Sequence, residues 1–337
     1  MATYYVATDG DESTGDGSIG NPWATPGYAV GAASSGDTLY IKSGTYTCTT
    51  DTPNVSGGIL SLGTKVLYIQ GYDTTPGDFG TAPIIDASGL PGSFTILITD
   101  FGNAGLFANL TVVGNSTCNG ISSSNRLTCL KCSAIDCSDG FAGGLQPCSC
   151  YAESCVRGFY QLQTDRCTAR ECTSGFVGGG CTGGLAIECG TGFAVGYYTA
   201  TSNCTSVNCT GYAFDVSYYC RAVNCLAVGG TYSYHLPTNT YSAMLMNCAS
   251  FGASGGRRSH TCTDILPIVL SANPFVSSTD SRLDPAGADY ASLAGMSLAL
   301  PQQTDARDIG AVQHTDPAGG FGGLLLPGLG RFGVQEH

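Results

Sequence analysis

The amino-acid sequence predicts an all-β fold, a single right-handed parallel β-helix wound as a solenoid of short coils. Three observations predict it. A cysteine-bearing frame recurs through the middle of the 337-residue chain. Glycine is abundant, at 49 residues, and charge is sparse, at 11%. Hydrophobic residues reach 42%, enough for a continuous core. No apolar run approaches the roughly 18 residues that would span a bilayer.

The frame is carried by seven segments: Cys132–Cys137, Cys150–Cys155, Cys167–Cys172, Gly184–Cys189, Cys204–Cys209, Cys220–Cys225 and Ala243–Cys248. Each opens on a small residue and closes on cysteine. Successive closing cysteines lie 18, 17, 17, 20, 16 and 23 residues apart. Two places after the opening residue stand Ala134, Ala152, Ala169, Ala186, Ser206, Ala222 and Leu245. Residues two apart on a strand share a face, so this pair points into the core. The closing cysteine is three further on, which breaks the alternation and requires a bend. Asp136, Ser154, Glu171, Glu188, Asn208, Asn224 and Asn247 occupy that bend. Asn and Asp suit it because they tolerate left-handed backbone; Glu is a departure. A glycine and then an aromatic follow in five coils, at Phe141, Phe159, Phe176, Phe193 and Tyr212. One turn near 18 residues holds three short strands and is too short for a helical repeat. Cys137, Cys155, Cys172, Cys189, Cys209, Cys225 and Cys248 are therefore expected to form one inward row.

Four regions follow from this frame. Residues 1–37 form an N-terminal cap, in which Thr25-Pro26 is a helix N-cap and first-turn pair. Residues 38–270 are the solenoid. Its early strands read at Thr38–Ile41, Val66–Gln70, Phe94–Thr99 and Leu110–Val113, and Leu39 to Leu67 suggests early coils near 28 residues. Residues 271–317 close the solenoid. Residues 318–337 read as an attachment tail, because Leu324, Leu325, Leu326, Leu329 and Phe332 sit among glycines without strand alternation.

Several segments resemble pectate-lyase-like right-handed β-helix proteins, a bacterial and phage group that includes tailspikes. They are Tyr4-Tyr5-Val6, Asp9-Gly10-Asp11, Asn21-Pro22-Trp23-Ala24-Thr25, Gly36-Asp37-Thr38-Leu39-Tyr40-Ile41 and Gly44-Thr45-Tyr46, with Asn273-Pro274-Phe275, Arg282-Leu283 and Asp308-Ile309-Gly310-Ala311 near the end. The resemblance implies the fold over about residues 3–312. It implies little about activity, since the group contains lyases, glycosidases and inert surface proteins.

Chemistry is sparse in the frame. One outward row reads Ser133, Tyr151, Thr168, Leu185, Thr205, Arg221 and Met244; the other reads Ile135, Glu153, Arg170, Ile187, Val207, Val223 and Met246. Neither holds a carboxylate cluster, so no catalytic residue is assigned. The alternative is Glu171 with Glu188, which occupy one bend position in adjacent coils and would stand about 5 Å apart, near a retaining glycosidase pair. Asp9, Asp11, Ser13, Gly15 and Asp16 match calcium-loop spacing only superficially and read as a turn. Cys129-x-x-Cys132 belongs to rows rather than to a zinc cluster, so neither metal nor cofactor is expected. Tyr197, Tyr198, Tyr218, Tyr219, Tyr232, Tyr234 and His235 crowd the last coils. They are the candidate ligand-binding residues, because exposed aromatics stack on sugar rings.

A net charge of −12 argues against nucleic acid as a partner. No signal-peptide pattern follows Met1, which suggests synthesis in a cytoplasm, free thiols and a final place on a virion or cell surface. The leading expectation is a non-catalytic virion or surface structural protein, of phage spike, fibre or capsid-decoration type, binding other subunits or a glycan. A homotrimer is compatible with it. The alternative is a polysaccharide lyase or glycoside hydrolase acting on a surface polysaccharide.

Overall fold

The computed structural model describes residues 1–254 apart from 51, 55–58, 100–104, 218, 237–242, 247 and 253. Beyond them it describes the backbone strands Arg258–Ser259, Thr263–Ile265 and Ile268–Val269. The closing segment and the tail with Leu324, Leu325, Leu326, Leu329 and Phe332 lie outside the described residues.

The chain winds as a parallel β-helix with three strands per coil. One coil carries strands Arg157–Tyr160, Thr164–Asp165 and Thr168–Arg170; the next carries Ser174–Val177, Cys181–Thr182 and Leu185–Ile187. Three ladders result. Sheet I begins with Thr3–Val6 against Thr38–Lys42. Sheet II has eleven strands and begins with Thr45–Thr47 against Ile84–Asp86. Sheet III begins with Leu60–Ser61 against Thr95–Thr99. Sheets III and I merge where Asn119–Leu130 and Asp139–Cys148 run round their shared corner.

The N-terminal region both caps the solenoid and supplies its first strand. The helix Pro26–Ala32 starts where Thr25 Oγ accepts from the Tyr28 amide at 3.3 Å. It buries Ala29 and Val30 over the open end of the core. Trp23 stacks on Tyr4 at 4.7 Å and ties the cap to the first strand. The first coil is longer than expected, because Leu39 pairs with Ile69 rather than lying over Leu67.

The repeating coils turn through left-handed backbone at their bends, including Gln161, Tyr198 and Tyr219 between sheets III and I. The bend from sheet I to sheet II uses Lys131, Ser149, Arg166, Asn203 and Asn224. The bend from sheet II to sheet III uses Asp136, Ser154, Glu171, Glu188 and Asn208. Glu171 and Glu188 take this conformation at φ 51° and 54°, as the frame requires.

Pairing between coils corrects the expected cysteine row. Amides following Cys137, Cys155, Cys172, Cys189 and Cys209 bond to the carbonyl of the preceding row member, beginning with Cys118. The row then passes to Gly230, because Thr231 bonds to Cys209. Cys225 and Cys248 belong to the other row, with Cys132, Cys150, Cys167 and Cys204, since Leu226 bonds to Cys204 and Ala249 to Cys225. Strand Arg221–Val223 lies in sheet I against Ala200–Ser202, and its bend Asn224-Cys225 imitates the bend at the end of sheet II. Arg221, Met244, Val223 and Met246 thereby leave the outward rows of sheet II, which continue through Leu226 and Ala249 and through Val228 and Phe251.

Aromatic rings fill the core under sheet III. Phe141, Phe159, Phe176, Phe193 and Phe214 stack with centroids 4.6–5.0 Å apart, and Tyr234 continues the column at 5.2 Å. Phe214, and not Tyr212, is the fifth ring. Burying each phenyl group contributes about 1.5–3 kcal/mol before stacking is added. Glycine precedes the first four phenylalanines because the coils approach closely there: a Cβ on Gly158 would stand 2.7 Å from the Gly175 carbonyl oxygen.

Every described cysteine is a free thiol, and all but Cys148 are buried. Burial pushes the thiols of Cys132, Cys150 and Cys167 well above their ordinary value, which keeps them protonated and unreactive. Native protein is therefore expected to react slowly with a thiol reagent, Cys148 first, and nearly all thiols to react after unfolding without reductant. Titration of unfolded, unreduced protein that finds most thiols blocked would contradict this.

Candidate functional site

Strands Tyr212–Val216 and Tyr232–Leu236 lie in register on sheet III. Phe214 and Tyr234 point inward and Ala213 and Ser233 before them are also buried, whereas Asp215 and His235 after them are partly exposed. Asp215 pairs with His235, and Tyr212 with Tyr232. Arg258 holds the next register position after His235. The Nδ1 of His235 lies 2.9 Å from Asp215 Oδ1. A carboxylate only accepts, so this bond places the ring proton on Nδ1 and leaves the Nε2 lone pair available. The Tyr212 ring covers the imidazole at 4.3 Å and 14°, and Tyr232 lies 5.4 Å from Tyr212. The imidazole remains reachable, with 23% of its side chain exposed. An oriented imidazole with one free nitrogen can move a proton to or from a bound molecule.

The same face continues across shorter side chains. Thr191 and Ser174 precede Tyr212, and Ala194 and Val177 precede Asp215. Beyond them Arg157 grips Asp139 through both Nε and Nη2, the latter at 2.8 Å, and lies 3.7 Å over the Tyr160 ring. The floor between the two polar clusters is thus low, and each coil advances about 4.8 Å.

The expected ligand-binding residues separate into three groups. Tyr232 and His235 meet at the site. Tyr197, Tyr198 and Tyr219 are exposed on the turns that leave sheet III. Tyr234 is a core ring: only 1% exposed, its hydroxyl lies 2.7 and 2.9 Å from the carbonyl oxygens of Cys225 and Ala249, which share its one proton. Its register with Phe214 places it in the core column, whereas Tyr232 pairs with Tyr212. Tyr218 lies outside the described residues, as do Tyr241, Arg257 and His260. Tyr212, expected only as the fifth aromatic of the frame, and Asp215, which was not singled out, join the site. Aligning Tyr212-Ala213-Phe214-Asp215-Val216 with Tyr232-Ser233-Tyr234-His235-Leu236 is the sequence signal that finds them.

Glu171 and Glu188 do stand on adjacent bends of the second left-handed row. Arg170 lies between them, 3.1 Å from Glu171 and 3.9 Å from Glu188, and all three side chains are about half exposed. The group is a solvated ion cluster, and such pairs contribute little. Glu171→Gln and Glu188→Gln are each expected to leave cleavage of any substrate within about twofold, because neither carboxylate faces the His235 site. An abolished rate with intact folding would return catalysis to this pair.

The acidic N-terminal loop is closed on itself. Asp11 Oδ1 accepts from the Ser13 amide, the Ser13 hydroxyl and the Thr14 amide at 2.7–2.9 Å. Those bonds hold its carboxyl down at about 2. Among the described residues no group of three or more His, Cys, Asp or Glu side chains is placed to hold a metal. Among the described residues, no helix is long and apolar enough to cross a membrane.

Comparison with solved structures places the architecture. The pectate lyase Pel9A superposes with a TM-score of 0.56 at 15% identity, covering 94% of this chain and 97% of that one. The chain has the pectate-lyase-like parallel β-helix fold. A GH136 lacto-N-biosidase from Eubacterium ramulus superposes with a TM-score of 0.53 at 11% identity, over 80% of this chain and 67% of that one. At these identities what is shared is the fold. No protein-family profile and no curated protein sequence matches the chain.

Proposed function

We propose that this chain is a polysaccharide lyase that cleaves a uronate-containing polymer on the outward face of sheet III. The observation that carries the proposal is the His235–Asp215 pair beneath Tyr212. In β-elimination a base takes the C5 proton of a uronate. The electron pair left behind forms the C4–C5 double bond as the C4–oxygen bond breaks, and the leaving oxygen takes up a proton. Nε2 of His235 is the base, and Asp215 fixes the ring so that this nitrogen faces outward. The hydroxyls of Tyr212 and Tyr232 are the nearby donors for the leaving oxygen.

Hydrolysis is less well supported. It calls for two carboxyl groups about 5–9.5 Å apart across the scissile bond. The described part of this site has Asp215 alone, already engaged by His235. The net charge of −12 opposes encounter with an acidic polymer. Physiological salt screens that repulsion beyond about 8 Å, so it slows association more than it affects the bound state. The phage-spike expectation gains nothing from the two matched structures, whose names are those of carbohydrate-active enzymes.

The test is incubation with a panel of uronate-containing and neutral polysaccharides. New unsaturated ends, read by ultraviolet absorbance, are the expected result. Reducing ends without unsaturation would point to hydrolysis, and a wholly silent panel would remove the enzymatic reading.

A further inference from the structure

The turns that leave sheet III differ in length from coil to coil. Between the aligned pairs Val177–Ala194 and Cys181–Thr201, one coil has only Gly178-Gly179-Gly180. The next coil spans the same gap with three more residues, Val195-Gly196-Tyr197-Tyr198-Thr199-Ala200. The coil after it keeps that longer turn and places Tyr219 over Tyr198. Both tyrosines hold left-handed backbone, at φ 59° and 58°. Elsewhere in this solenoid small or polar residues dominate such positions, and a bulky aromatic adopts them rarely.

The two rings stack at 5.0 Å with planes 5° apart. That separation matches the rise from one coil to the next. Tyr219 covers one face of Tyr198. The opposite face looks over the short glycine turn, and Tyr198 is 76% exposed against 42% for Tyr219. The glycines leave the floor bare. Gln163 borders it, since a Cβ on Gly180 would stand 2.4 Å from its Oε1. The result is a notch one coil wide, with a flat aromatic wall, a floor of backbone and an amide at the rim. The strand that carries Asp215 runs directly into the turn that carries Tyr219, and the glycine turn lies three coils, about 14 Å, before the strand of His235.

We propose that this notch binds one pyranose ring of a glycan chain, with an apolar C–H face of the sugar against Tyr198 and its hydroxyls toward Gln163. It would hold the polymer about three coils away from His235, as a remote subsite on the same flank of the solenoid. The inference shares its ligand class with the lyase reading and rests on it for that choice, but it requires binding and not cleavage.

The experiment uses the full chain carrying His235→Ala, to prevent turnover, with hexagalacturonate and cellohexaose as calorimetric probes. At least one is expected to bind. Tyr198→Ala should weaken that binding about tenfold, as loss of an aromatic stacking contact does. Tyr198→Phe, which keeps the ring, should stay within about twofold of its parent. Tyr198 is exposed, so all three proteins should melt alike. Absence of binding by both probes, or equal affinity in the alanine variant, overturns the notch. Tyr198-dependent binding without cleavage by the unmodified protein would refute the lyase reading and uphold the subsite. Cleavage with an unchanged KM in the Tyr198→Ala protein would refute the subsite and uphold the lyase.

Discussion

Replacing His235 by alanine is expected to slow polysaccharide cleavage about 10²- to 10⁴-fold, the range that one positioned acid–base group contributes. The loss should fall on kcat, because the imidazole acts on the proton in flight more than on the ground-state sugar. Folding should be retained, since the side chain stands on the outward face and is partly exposed. Two further measurements separate chemistry from scaffolding. Added imidazole should restore part of the rate to the His235→Ala protein, because a small base can enter the space left over Asp215. Asp215→Asn should also be slow while keeping its shape, because an amide can present its N–H to Nδ1 and favour the wrong tautomer. A His235→Ala protein that cleaves at the parent rate would move the chemistry elsewhere on the solenoid.

The largest expected loss of stability is at Phe193. Its ring lies between Phe176 at 4.6 Å and Phe214 at 4.8 Å and is 1% exposed. Phe193→Ala removes both stacking contacts and opens a cavity that the close-packed coils cannot collapse, at a cost of about 3–5 kcal/mol. In a solenoid each coil contacts only its neighbours, so this deficit is local. Urea unfolding should change from one transition toward two, with the coils on either side of Phe193 losing structure separately. Phe193→Leu should cost less, because it leaves a smaller cavity. A single unshifted transition in the alanine variant would mean that the column contributes little.

The fold was legible because one feature per coil repeats. Small residue, alanine or serine, bend and cysteine mark sheet II in five coils, and Thr25-Pro26 marks the cap helix. The last two coils were misaligned for a physical reason. Cys220-Arg221-Ala222-Val223-Asn224-Cys225 in sheet I carries the same small residues and the same left-handed bend as Cys204–Cys209 in sheet II. The site was hard to read because Asp215 and His235 lie 20 residues apart and neither belongs to a local motif. Only the register of Phe214 with Tyr234 brings them together. Tyrosines read as one cluster divide between core, site and turn because sequence proximity does not record which way a strand faces.

The likeness of the two bends also bears on how the chain winds. Pairing the sheet I strand Arg221–Val223 with the sheet II strand Thr205–Val207 would set alanine against serine and cysteine against cysteine. Packing near the bends would scarcely distinguish that arrangement from the native one. The aromatic residue, present once per turn, does distinguish it, because a coil docked one strand out of step would lose its ring from the column. The column thus works as a timing mark: each arriving coil is accepted only when its ring meets the one before. Removing a single ring should then produce slow, misthreaded species during refolding, even under conditions where the finished protein remains folded.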